Sequence, residues 1–71
     1  MLSIYANLSK TKTWQTEKRG SIFTIVERDY MGNVLGKIGE YKTRDAAEKD
    51  LAILADDSGF RWIGRQDNAA V

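Results

Sequence analysis

The sequence predicts an α+β fold: an antiparallel β-sheet of three to four strands with one covering helix, in the order β(β)β-β-α-β. Three observations predict it. Residues 21–30 carry strand-forming apolar residues, and a Gly-Asn turn returns the chain as a second arm. Thr43 then precedes an apolar stripe of helical period. Finally, 71 residues with neither cysteine nor proline leave room for one core, with no covalent staple to support it.

The elements follow in order. In residues 2–8, Leu2, Ile4, Ala6 and Leu8 alternate with Ser3, Tyr5 and Asn7, which is the period of a strand. Residues 10–16 are rich in threonine and include Trp14, so they favour extended structure, either continuing that strand or forming their own. Residues 17–20 read as a polar turn. In residues 21–30, Phe23 and Ile25 face one way while Ile22 and Val26 face the other. That suggests a central strand covered on both sides, or one whose second face meets a partner. Met31, Gly32 and Asn33 supply the turn, because Gly and Asn tolerate positive φ. Residues 34–42 return as the second arm, with Gly36 and Gly39 marking a bulge, a bend or a close backbone approach.

Thr43 is placed to cap a helix over residues 44–57, and Asp45 and Glu48 sit where the positive helix end favours anions. Ala47, Leu51, Leu54 and Ala55 form its buried stripe, with Ile53 off the stripe among Lys49, Asp50 and Asp57. Ser58 and Gly59 end the helix, residues 60–65 form a last strand, and residues 66–71 form a frayed tail. The expected core is Phe23, Ile25, Leu35 or Ile38, Leu51, Leu54 and one of the two tryptophans. No internal repeat or low-complexity tract interrupts this single domain, residues 1–71.

Residues Gly32-Asn-Val-Leu-Gly-Lys-Ile-Gly-Glu-Tyr41 followed by Lys-Thr43-Arg44-Asp-Ala-Ala47-Glu48-Lys-Asp-Leu51 resemble the repeat unit of YegP-like small bacterial proteins, over about residues 22–54. The resemblance implies a hairpin–helix unit of bacterial or phage type and carries no function with it. The chain departs from that pattern in its basic N-terminal segment, a longer hairpin connection and its C-terminal strand. A hairpin followed by a helix also looks like the arm-binding domains of phage-type integrases, whose sheets are more basic. Here Glu27, Asp29 and Glu40 occupy the sheet.

Composition removes most chemistries. Without histidine or cysteine, the usual general base, the thiol nucleophile and the common transition-metal ligands are missing. Ser3, Ser9, Ser21 and Ser58 fall in no Gly-x-Ser-x-Gly or Ser-x-x-Lys pattern. Gly32, Gly36 and Gly39 lie in a hairpin rather than in a strand–loop–helix phosphate cradle. Asp56 and Asp57 lack the surrounding oxygen ligands of a hard-cation loop. The chain is therefore expected to be no enzyme and to use no cofactor, metal or small-molecule substrate. No apolar run approaches the roughly 20 residues of a membrane span. The start lacks a basic, apolar signal pattern, so no membrane partner and a cytoplasmic location are expected.

Two surfaces remain as binding candidates. The net charge of +1 is unevenly spread, with the first 20 residues basic and residues 43–57 acidic. A protein partner or a second copy is the leading expectation, through the uncovered sheet face and the residues Ile22, Val26, Tyr30, Met31 and Ile53. The alternative is nucleic acid, with Lys10, Lys12, Lys18, Arg19, Arg61 and Arg65 contacting phosphates and Trp14, if exposed, stacking on a base.

Overall fold

The computed structural model describes residues 2–65. Its elements are β1 (Ser3–Ala6), β2 (Lys12–Arg19), β3 (Ile22–Asp29), β4 (Val34–Tyr41), α1 (Arg44–Asp57) and β5 (Arg61–Arg65). The five strands form one sheet in the order β4-β3-β2-β1-β5, with every neighbouring pair antiparallel. The α+β class and the single covering helix are as the sequence predicts, with five strands in place of three to four. The expected frayed tail, residues 66–71, lies outside the described residues.

The extra strand arises because residues 12–19 form a separate element. Asn7 closes a turn after β1, accepting the Lys10 amide on its carbonyl at 3.0 Å and the Lys12 amide on Oδ1 at 3.0 Å. Residues 17–19, read as a turn, instead extend β2 to Arg19, which pairs with Ile22. Gly20, at φ +63°, makes a two-residue connection possible.

β4 and β5 lie on opposite edges of the sheet, so α1 crosses one face between them. Thr43 caps it: its extended backbone (φ −129°) lets Oγ1 accept the Ala46 amide at 3.2 Å. Gly59 ends the helix at φ +79°, a conformation that costs any other residue more. Ala47, Leu51 and Ala55, spaced four apart, are buried against the sheet. The core joins Trp14, Ile25, Leu51 and Ala55, with Tyr5, Tyr41, Leu54 and Phe60 packed around them. Glu48 ties the helix to the sheet with both carboxylate oxygens, accepting the Ser3 amide at 3.0 Å and the Thr16 hydroxyl at 2.8 Å.

Leu35 and Ile38 do not join this core. Ile25 pairs with Gly39 but Val26 with Lys37, and Glu27 pairs with Gly36 but Arg28 with Val34. Leu35 and Ile38 are thus the unpaired residues of two bulges, and both are exposed. Ile63 is a third: Ile4 pairs with Gly64 and Tyr5 with Trp62. All three bulges fall on the two edge strands, where a bulge discourages edge-to-edge pairing.

Candidate functional site

Around Glu17 the helix-free face of the sheet is polar. Glu17 lies between two guanidinium groups there, 2.8 Å from Arg28 Nε and 3.2 Å from Arg19 Nη2, and Gln15 Nε2 donates to it at 2.7 Å. The Arg28 hydrogen bond holds the Glu17 carboxyl down at about 2. The register sets Gln15 beside Val26 and Glu17 beside Thr24. Beneath these long side chains Val26 is only 2% exposed, and Thr24 is buried as well. Val26 therefore offers no partner surface, and the face expected to be apolar is roofed by an ion-pair network.

The proposed partner residues also do not converge. Ile22 begins β3, while Tyr30 and Met31 cap the turn at its other end. Eight residues at about 3.3 Å each put roughly 25 Å between them. Ile53 lies on α1, on the opposite side of the sheet.

The basic residues are scattered as well. Trp14 is 8% exposed, with its ring stacked on Phe60 at 4.2 Å and its Nε1 donating to Glu27 at 2.9 Å. It is a core residue and is not available to stack on a base. Period two does place Lys12 and Trp14 on one face, but that face is the one the helix covers. Lys18 lies 6.0 Å from the Phe23 ring centre, and Arg19 is committed to Glu17. Arg61 pairs with Ala6 and Arg65 with Ser3, at opposite ends of β5. β2 is also an inner strand, so Lys12 and Lys18 guard no sheet edge.

The side chains that do converge line a groove between the C-terminal half of α1 and β5. Tyr5, Ala52, Ile53, Phe60 and Trp62 supply its apolar surface, with Asp56, Asp57 and Arg61 at its rim and an open volume of about 640 Å³. The register explains the gathering, since Trp62 pairs with Tyr5 and Phe60 stacks on Trp14 just before β5 begins. Trp62 and Ile53 are each 53% exposed there. Asp56 and Asp57 make no ion pair among the described residues, and no basic residue occupies the last helical turn. Each carboxylate faces the negative end of the helix dipole, at a cost of about 0.3–1 kcal/mol. Ile53 alone among the sequence-predicted partner residues belongs to this groove. Sequence patterning does not single out Tyr5, Phe60 and Trp62 as binding residues; the two aromatics flanking Arg61 just after the acidic helix end are the signal that could have found Phe60 and Trp62.

Among the described residues, no group of three or more acidic side chains is gathered as a metal site, and no helix is long and apolar enough to cross a membrane. No family model, curated protein or solved structure matches this chain. None of these comparisons bears on the resemblance carried by residues 22–54.

Proposed function

We propose that this chain is a small non-catalytic protein-binding module that works through the groove between α1 and β5. The observation that carries this reading is Trp62, half exposed in one apolar recess with Ile53, beside two carboxylates that form no ion pair among the described residues. Tryptophan is a frequent anchor of protein interfaces, and a partly exposed aromatic recess with an acidic rim suits an apolar side chain flanked by lysine or arginine. The reading places the surface on the helix side of the sheet, because the centre of the helix-free face is covered by the Glu17 ion pairs. Nucleic-acid binding is less well supported: Trp14 is packed in the core, and Arg19 and Arg28 are both engaged by the Glu17 carboxylate. The cysteine-free composition suits a cytoplasmic setting, and a bacterial or phage origin rests on the resemblance alone.

The test is titration with two synthetic peptides, one alternating lysine with leucine and one alternating glutamate with leucine. The lysine peptide should shift the tryptophan emission, the shift should weaken with added salt, and it should vanish in Trp62→Phe. Equal responses to both peptides, or none to either, would overturn the reading.

A further inference from the structure

We infer that the groove is filled by the β1–β2 turn of a second copy of the chain, giving a two-fold symmetric dimer. This rests on the groove being the binding surface, and it names the occupant.

The chain carries a projection whose chemistry complements the groove. Leu8, at the turn between β1 and β2, is 80% exposed and is followed by Lys10 and Lys12. Sequence alternation placed Leu8 with Ile4 and Ala6, but β1 ends at Ala6 and Leu8 points to solvent. This exposure is built into the turn. The Asn7 amide donates to the Lys12 carbonyl at 3.2 Å, and the Lys10 amide to the Asn7 carbonyl at 3.0 Å. Asn7 Nδ2 donates to Thr11 Oγ1 at 3.0 Å, and the Ser9 and Thr11 hydroxyls lie 3.0 Å apart. Lys10 is held at φ +58°, a left-handed conformation uncommon outside glycine. A turn fixed in this way loses little conformational freedom on docking.

Charge matches as well. Lys10 and Lys12 form no ion pair among the described residues, and neither do Asp56 and Asp57. One copy's leucine would occupy the recess beside Trp62 and Ile53 while its lysines meet the partner's two carboxylates. The geometry allows reciprocity. Ala6 pairs with both Thr13 and Arg61, so the turn leaves the sheet at the end where β5 begins, next to the groove. When projection and recess share one end of the molecule, a two-fold axis can seat each in the other and close the assembly at two copies.

The experiment is light scattering on chromatographed protein over a dilution series, at low and high salt. It uses wild type, Leu8→Asp, and two charge-reversed chains, Lys10→Asp/Lys12→Asp and Asp56→Lys/Asp57→Lys. All these sites are exposed, and circular dichroism verifies that each variant folds. Wild type should move from the 8.0 kDa single-chain mass to twice that as concentration rises, more readily at low salt. Each variant alone should stay at the single-chain mass. The two charge-reversed chains mixed together should regain the doubled mass, because both turn–groove contacts are again opposite in sign. A wild type that keeps the single-chain mass throughout overturns the inference, as does doubling that persists in Leu8→Asp and in both charge-reversed chains. If wild type stays single, its response to the lysine–leucine peptide separates the two readings. An emission shift retains the groove as a binding surface for a foreign protein, and no shift removes both.

Discussion

Trp14 and Glu27 face each other across β2 and β3, and the indole Nε1 donates to the Glu27 carboxylate at 2.9 Å. The same tryptophan stacks on Phe60 at 4.2 Å, so one side chain links the central sheet to the segment that leads into β5. This contact makes Trp14 a structural residue and leaves Trp62 as the exposed one. Replacing Glu27 by leucine would strand a largely buried N–H, at a cost of about 1–3 kcal/mol. Glu27→Gln keeps an acceptor and should cost less. Urea denaturation of the two variants checks the order, and a larger loss in Glu27→Gln would contradict it.

Glu17 makes folding depend on acid. Its carboxyl titrates near 2 in the folded chain against an ordinary 4.5. A depressed carboxylate contributes stability that is fully present above the unfolded value and is lost as pH falls through the folded value. Wild type should therefore exceed Glu17→Gln in stability above pH 4.5, with the gap shrinking steadily toward pH 2. Thermal unfolding of both proteins across that range measures the gap. A difference that stays constant with pH would show that Glu17 acts through packing instead of charge.

Gly39 permits a close approach. A Cβ at this position would lie 2.8 Å from Tyr41 Oη and 3.1 Å from Tyr41 Cε1, while Tyr41 itself packs against the core. Gly39→Ala should cost about 1–3 kcal/mol, as overpacking does. In a Tyr41→Ala background the same change should cost clearly less, and equal costs in both backgrounds would show that the ring is not the obstacle.

Glu48 joins α1 to two strands at once. Glu48→Ala removes the acceptor for the Ser3 amide and for the Thr16 hydroxyl. Hydrogen bonds to charged groups contribute about 1.5–3 kcal/mol each at most, and these share one partly buried carboxylate. A loss of about 2 kcal/mol is expected, with hydrogen exchange quickening first in β1. Unchanged exchange at Ser3 would contradict the role.

The helix and its caps were legible in the sequence because a threonine cap, a glycine stop and a 3.6-residue stripe are local signals. The core positions Leu51 and Ala55 follow from that stripe, and Ile25 from the period-two alternation of its strand. Gly36 and Gly39 signalled an irregularity in the second arm, but that Leu35 and Ile38 are the residues left unpaired was not legible, since register depends on the facing strand. Val26 was expected at the surface because alternation assigns a side chain to a face without saying what covers that face. The cover comes from Gln15, Glu17 and Arg28, which meet only through the β2–β3 register. The groove was partly legible: Ile53 stood out from its helical stripe, but its nearness to Tyr5 and Trp62 depends on β5 pairing with β1 across the chain.

The most direct test of the account is a ¹⁵N-labelled NMR dilution series read at the two indole N–H signals. With the groove as the contact surface between two copies of the chain, the Trp62 indole and the amides of Leu8, Ile53 and Asp57 should shift with concentration, while the Trp14 indole stays fixed. A spectrum that does not change on dilution, or shifts confined to Gln15, Ile22 and Thr24 on the helix-free face, would contradict it.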